Sequence, residues 1–412
     1  MRPILIAGAG IAGLTLGLTL ARRGMASRIL ERRAALGEAG AGIQLGPNAM
    51  HVLRRLGVAE RLQPQAARPQ AIMVADGASG RQLGRLPLGD FIERRHGAPY
   101  WVAHRGDLQA ALLAAVRAEP LIELVTGFEV VDWRETADSV DAISAGGDVV
   151  EGRALVGADG LWSALRRRMF PDHALTYAGK MAARTVIPAT RAAADGRFGE
   201  LVTGVWLGRH AHVVHYPIRR GRDIAVVAIV DEAAASAPAP ERTAKASARE
   251  GWGGAIEGRD VLQRLAGFSP ELLEFLARGS EWAAWSLYDP APLPAWSRGR
   301  IALIGDAAHP ILPFLAQGGA MAIEAAETLA AELALSRADP AGAFARTESL
   351  RRARVIRVQD ASRANGRMFH LGGLTGLARD AALKTVPGRL MMARYDWLYG
   401  WNGDPPTLDA AR

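Results

Sequence analysis

Between residues 8 and 13 the sequence reads Gly8-Ala9-Gly10-Ile11-Ala12-Gly13. A G-x-G-x-x-G run works through absent side chains: the first glycine permits a tight turn, the second lets backbone approach a pyrophosphate, and the third lets a helix pack close. Glu31 follows 18 residues after Gly13, where a carboxylate can accept hydrogen bonds from ribose hydroxyls. An acid there disfavours a 2′-phosphate, so the two signals predict a dinucleotide of the FAD or NAD type. A second acid, Asp306, ends the apolar run Ile301-Ala302-Leu303-Ile304-Gly305, and Gly318-Gly319 beyond it open a predicted helix. A helix start offers free N–H groups and the positive end of its dipole to an anion. Farther away, His210, His212, His215 and Tyr216 crowd one strand-like run. With a period of two, His212 and Tyr216 share a face and His215 points the other way.

These residues need elements to hold them. Residues 3–8 read as a buried strand, 11–23 as a helix and 27–31 as a second strand, a βαβ opening. Gly40-Ala41-Gly42 and Gly46-Pro47-Asn48 predict a glycine-rich loop before a helix near Asn48. Residues 71–100 read as short strands and turns, His104–Val116 as a helix, and 121–157 as a β-meander turning at Gly146-Gly147. Strands dominate 176–232, a loop leading into a helix is expected over 233–250, and a helix runs from Gly318 to about Leu335. The predicted fold class is α/β. A Rossmann-like domain is built from residues 1–70, 101–175 and 290–345, a β-sheet domain from 71–100 and 176–289 is interleaved with it, and 346–412 form a C-terminal helical segment.

Composition removes several function classes. The chain of 412 residues exceeds what one core usually supports, and 49% hydrophobic with 22% charged residues is ordinary for a globular protein. It has no cysteine, which excludes disulfides, thiolate metal sites, iron–sulfur clusters and flavin attachment through a thiol, and fits a cytoplasmic location. No metal site and no membrane insertion are expected. The formal charge is +8, but Arg is scattered among acids with no basic stripe, so no nucleic-acid partner is expected. Arg219-Arg220-Gly221-Arg222 reads as a solvated hairpin tip, and Arg351-Arg352-Ala353-Arg354 as a solvated helix face.

Two further stretches carry a resemblance. Gly157-Ala158-Asp159-Gly160-Leu161-Trp162-Ser163-Ala164-Leu165-Arg166 resembles the D-G-x-x-S-x-x-R motif of the single-component (group A) FAD-dependent aromatic hydroxylases. Gly305-Asp306-Ala307-Ala308-His309-Pro310, with Pro313 and Gln317-Gly318-Gly319, is similar to that family's G-D motif. With the opening glycines these run from residue 8 to 319 in the family's order. Pro294-Ala295-Trp296-Ser297-Arg298-Gly299-Arg300 and Asp396-Trp397-Leu398-Tyr399-Gly400 resemble the branch containing salicylate hydroxylase, 3-hydroxybenzoate 6-hydroxylase and 6-hydroxynicotinate 3-monooxygenase.

The resemblance implies non-covalent FAD in the first domain, with NADH or NADPH as co-substrate and no second Rossmann unit. It implies Gly8, Gly10 and Gly13 at the pyrophosphate, Glu31 on the adenosine ribose, and Asp306 on the ribityl chain. Gly318 and Gly319 would start the helix aimed at the flavin's pyrimidine edge. Arg105 would contact the FAD, and Gln44 would border the isoalloxazine. Asp159 would hold the FAD and nicotinamide regions together, with Arg166 neutralising it. Arg32 and Phe128 complete the cofactor candidates. His212 and Tyr216 match a histidine and tyrosine, four residues apart, that face the substrate, and Arg184 matches an arginine on a sheet strand. The implied reaction puts one oxygen of O2 on a small anionic phenol or hydroxypyridine through a flavin C4a-hydroperoxide, in a monomer or homodimer. Alternatives left open are a same-fold hydroxylase of a larger quinone- or polyketide-type ring, and a flavin-linked reductase without oxygen insertion. Two departures from the family stand out. Ala325 follows Ile323-Glu324 where Asp is common, a change expected to touch only helix packing. Pro313-Phe314 replaces polar or histidine-containing pairs and so alters a pocket wall.

Overall fold

The computed structural model describes residues 2–37, 42–192, 198–232 and 254–403. The predicted loop over 233–250, and Gly40 and Ala41 of the glycine-rich loop, lie outside them. Ile4–Ala7 is buried on both faces and occupies the middle of a six-stranded sheet. The sheet's order is Ser297–Arg298, Ile301–Leu303, Ala154–Gly157, Ile4–Ala7, Ser27–Glu31 and Ile122–Thr126. All its pairs are parallel except the first. Such strands read as unbroken apolar runs because both faces are covered. Ile4 and Ile6 pack with the helices Ile11–Ala21, Arg105–Arg117 and Gly318–Leu335. Leu5 and Ala7, one residue out of phase, meet Val130, Val140 and Ala142 of a three-stranded antiparallel sheet.

That small sheet corrects the predicted meander. Val130–Glu135, Val140–Ser144 and Val149–Gly152 do form one, turning at Gly147 with φ +91°. Ile122–Thr126 instead leaves it to extend the parallel sheet beside Ser27–Glu31. Part of the expected glycine-rich loop is also a strand: Gly42–Leu45 pairs antiparallel with Trp101–His104.

A second, eight-stranded sheet runs Gly254–Ile256, Trp282–Tyr288, Tyr177–Pro188, Asp223–Asp231, Ala211–Ile218, Val202–Gly208, Ala71–Asp76 and Gln82–Pro87. One face is sealed by the helices Gly258–Arg264 and Pro270–Leu276, whose Val261, Leu272 and Phe275 pack with Trp206, Val213 and Val226. His215 falls on this sealed side, against Phe198, Trp206 and Phe275. The opposite face looks toward the first sheet. Residues 71–100, read as strands and turns, also contain the helix Gly89–His96. Among the described residues no helix is long and apolar enough to cross a membrane.

The C-terminal segment begins with a 30-residue helix, Pro340–Phe369. Its arginine run is not the solvated face expected. Arg351 is 2% exposed, and Glu324 is fully buried. Glu324 accepts from Arg351 Nη2 at 2.5 Å, Arg354 Nε at 2.7 Å and Nη2 at 2.9 Å, and Asn48 Nδ2 at 2.6 Å. Positions 351 and 354 are three apart and therefore share one side of the helix; that side faces inward. Arg354 also donates to the carbonyls of Trp397 and Leu398, at 2.6 and 2.7 Å. Removing one partner of a buried pair strands the other's charge, at a cost of about 3–5 kcal/mol. Glu324→Ala is therefore expected to lose about that much stability in urea unfolding of the FAD-loaded protein. A loss within about 0.5 kcal/mol, the ordinary range for surface substitutions, would contradict this account.

Candidate active site

Gly8 and Gly13 make the tight turn and the close helix packing that their spacing predicts. Gly8 has φ +106°, and a Cβ there would lie 2.6 Å from the Ala158 carbonyl oxygen. A Cβ on Gly13 would lie 1.9 Å from the Gly8 carbonyl oxygen, so only glycine lets the helix start so near the turn. At Gly10 a Cβ would meet nothing within 4 Å; this position opens on a cavity. No side chain caps the helix Ile11–Ala21, so its first N–H groups lack intrahelical partners and suit a phosphate. Glu31 is set by two backbone donors, Ala9 N–H at 2.8 Å and Arg33 N–H at 3.0 Å, one on each carboxylate oxygen. Its remaining lone pairs stay available to hydroxyls.

Asp306 sits on the turn Gly305–Ala307 just past a strand end, and a Cβ on Gly318 would lie 4.0 Å from its Oδ1. Burial pushes the Asp306 carboxyl up, and the charges of Arg105 and Arg166 oppose that rise. Arg166 was expected to neutralise Asp159, and the structure gives its guanidinium another task. It donates to the carbonyls of Asp306 at 3.1 Å, Ala307 at 3.3 Å and Leu161, and acts on Asp159 only as a nearby charge. Asp159 accepts from Ala164 N–H at 2.9 Å and Leu165 N–H at 3.4 Å, while its Oδ1 is buried with no partner among the described residues. The residue borders the cavity, but the carboxylate lies deep, and burial raises its pKa.

One cavity of about 2220 Å³ joins these groups to the second sheet. Gly8, Gly10, Glu31, Arg32, Gln44, Arg105, Phe128, Asp159, Asp306, Gly318 and Gly319 all line it, and so do His212, Tyr216 and Arg184. Gly13 does not; it lies beneath the turn. The volume exceeds the roughly 300–1,000 Å³ of an ordinary small-ligand pocket, which leaves room for a dinucleotide and a small ring together.

On the sheet side, His212 is 1% and Tyr216 4% exposed to solvent. They sit on the cavity face, as the period of two predicts. His212 packs on Phe369 with ring centroids 5.0 Å apart and on Phe314 at 5.6 Å, so the Pro313-Phe314 departure does form a wall of this site. Burial, reinforced by His370 and Lys180, holds His212 well below the usual histidine pKa. Burial raises Tyr216 above the usual tyrosine value, against the charge of Arg184. The Tyr216 ring reaches across to the other side of the cavity: a Cβ on Gly42 would lie 2.1 Å from its Cε2. Two residues along that strand, Gln44 accepts from the Tyr100 hydroxyl. Arg184 is 8% exposed, with its guanidinium 5.1 Å from the Trp285 ring centroid.

Sequence reasoning assigned no role to His370, Asp231, Lys180 or Trp285, all of which belong to this region. His212 Nδ1 lies 2.8 Å from His370 Nε2, and His370 Nδ1 lies 3.0 Å from Asp231 Oδ1, which also accepts from Lys180. The two histidines are 158 residues apart, and no motif links them. Register was the missing signal: Lys180 pairs with Asp231, and His212 with Ile229, on one face of the sheet.

Fold and cradle together define an FAD-binding oxidoreductase. Residues 1–361 match the family described as FAD binding domain, and the chain belongs to that family. It is 36% identical to 3-hydroxybenzoate 6-hydroxylase 1 of Aquipseudomonas alcaligenes, covering 96% of this chain and 97% of the relative. With 6-hydroxynicotinate 3-monooxygenase of Bordetella bronchiseptica the identity is 34%, over 88% of this chain and 91% of the relative. A solved substrate complex of salicylate hydroxylase shares the fold, with a TM-score of 0.79, 24% identity and 99% coverage of both chains. The chain is an FAD-dependent monooxygenase of the aromatic-hydroxylase kind. The open approach at Gly10 and the uncapped helix start fit that cofactor. Asp306→Ala is expected to purify largely without flavin and, because a ligand stabilises only the state that binds it, to gain less than wild type in melting temperature when FAD is added. Full flavin occupancy in that variant would refute the assignment of Asp306.

Proposed function

We propose that this enzyme uses NADH or NADPH and O2 to hydroxylate a small anionic phenol or hydroxypyridine in the cytoplasm. Residues 1–70, 101–175 and 290–345 would serve FAD, residues 71–100 and 176–289 would form the substrate wall, and 346–412 would close it. Within the cradle, Glu31 would hold the adenosine ribose and Asp306 the ribityl chain. Held there, FAD would supply the redox chemistry, with a reduced nicotinamide as reductant and O2 as the source of the oxygen placed on an electron-rich ring. The observation that carries the reading is that His212, Tyr216 and Arg184 face the same cavity as the dinucleotide cradle.

An electron-rich ring requires the phenol to give up or share its proton. Phenols ionise near pH 10, as tyrosine does, so about a thousandth is ionised at neutral pH. A neutral imidazole is the natural acceptor, and a depressed pKa keeps His212 in that form. Its Nδ1 faces His370, which leaves Nε2 for the substrate hydroxyl. Tyr216, on the same strand face, would orient that hydroxyl. Phe314 and Phe369 keep water away.

Arg184 addresses the substrate's own charge. It pairs across the sheet with Val227, and Val227 with Val214, the residue between His212 and Tyr216 on their face. Arg184 thus stands two strands away, roughly 10 Å between backbones at about 4.8 Å per strand, a gap on the scale of one substituted ring. A buried guanidinium at that distance suits a carboxylate.

Two experiments test the reading. Hydroxybenzoates, anthranilates and hydroxypyridines supplied with isotopically labelled O2 should give a product carrying one labelled oxygen. Arg184→Met should raise KM at least tenfold for carboxylated rings and little for uncharged ones. Nicotinamide consumption with no labelled product on any ring would remove the monooxygenase assignment to this substrate class. Separately, His212→Ala should keep FAD and its reduction but release most reducing equivalents as hydrogen peroxide. If its product per nicotinamide equals wild type, His212 is not the base.

A further inference from the structure

His212 can accept a substrate proton at Nε2 only if its own proton resides on Nδ1, and an isolated imidazole carries no such instruction. The residues behind it supply one. Asp231 is fixed at both oxygens: Oδ1 accepts from Lys180 and lies 3.0 Å from His370 Nδ1, and Oδ2 lies 3.1 Å from His210 Nδ1. Burial alone would raise this carboxyl, but the hydrogen bonds of His370 and Lys180 outweigh it and hold Asp231 below the usual carboxylate range. An ionised carboxylate only accepts, so the contact with His370 requires a proton on His370 Nδ1. Lys180 Nζ also lies 3.2 Å from that nitrogen; with both groups directed at Oδ1, the approach is that of two donors sharing one acceptor. When His370 is neutral its Nε2 is then a lone pair, and His212 Nδ1, 2.8 Å from it, carries the hydrogen between them.

The backbone holds the middle member of this chain in place. His370 caps the helix Pro340–Phe369, and Arg379 Nη1 donates to the carbonyls of Met368, Phe369 and Leu371 at 3.1–3.2 Å. His210 takes the left-handed backbone conformation, φ +66°, in the turn that brings it to Asp231. Side-chain exposure falls from 66% at His210 and 31% at Asp231 to 7% at His370. The carboxylate is thus anchored near the surface and its influence is passed inward.

We propose that Asp231 and His370 are positioning residues that lock His212 in its Nδ1–H tautomer, so that Nε2 presents a lone pair to the substrate hydroxyl. This rests on His212 being the substrate base, but the test needs no substrate. The FAD-bound enzyme is prepared with isotope-labelled histidine, and long-range proton–nitrogen correlation spectra report which nitrogen of each ring is protonated. Among the nine histidines, the His212 signals are those lost in His212→Gln. Wild type should show His212 with Nδ1 protonated and Nε2 bare. In Asp231→Ala, and independently in His370→Phe should the first fail to fold, the Nε2 resonance should move to an averaged or protonated position. Asp231→Asn, whose amide oxygen can still accept, should restore most of the wild-type spectrum. A wild-type His212 protonated on Nε2, or an unmoved His212 in the folded variants, would overturn the proposal. Failure of His212 as base would show elsewhere, as His212→Ala coupling equal to wild type with the tautomers as described.

Discussion

The carboxylate of Glu324, with no exposure to solvent, organises the parts of this molecule that must stay in register. Desolvating it is costly, and the cost is offset only by complete pairing. Arg351 and Arg354 provide the countercharge, and Asn48 a further donor. Those partners come from the helices Pro47–Arg55 and Pro340–Phe369, while Glu324 belongs to the helix whose start faces the cavity. Because Arg354 also holds the carbonyls of Trp397 and Leu398, the tail is pinned to the same point. The long helix, fixed there, carries the order onward. Gln359 donates to the Pro310 carbonyl at 3.0 Å and Ser362 to that of Leu312 at 2.6 Å. These bonds hold the loop bearing Phe314 and leave His370 at the helix end, beside His212.

The two halves of the site solve opposite problems. On the cradle side, side chains are removed so that backbone can approach a ligand, and the charged groups Arg166 and Asp159 work mainly on backbone. On the sheet side, bulky rings remove water and leave a few polar groups whose protonation is set by neighbours rather than by solvent. Tyr216 spans the two, since its ring lies against Gly42.

What could be read from the sequence was whatever is local. Gly8, Gly10, Gly13 and Glu31 act through turn geometry and short spacing, and the shared face of His212 and Tyr216 follows from strand periodicity, so both were legible. The helix Gly318–Leu335 begins and ends where its pattern places it. Misreadings arose where a distant partner decides. Arg351 looked solvated because charge favours water, until a buried acid 27 residues earlier claims it. Ile122–Thr126 alternates like a meander strand, but the open edge beside Ser27–Glu31 captures it. The chain from His212 to Asp231 depends on sheet register and on a helix end more than a hundred residues away, so no local pattern announces it.

The central place of Ile4–Ala7 has a consequence for how the chain is made. It leaves the ribosome before its partners and meets Ser27–Glu31 first, yet its other edge waits for Ala154–Gly157, and that strand in turn for Ile301–Leu303. At roughly 5–20 residues per second, the roughly 150 residues between Ile4–Ala7 and Ala154–Gly157 take about 7–30 s to translate, and the stretch on to Ile301–Leu303 about as long again. During that time a flat, apolar strand edge stands open, the kind of surface that pairs with other chains. The strand at the centre of the finished sheet thus spends part of synthesis with one edge open, and yield in the cell should depend on chaperones and growth temperature more than the stability of the folded enzyme would suggest.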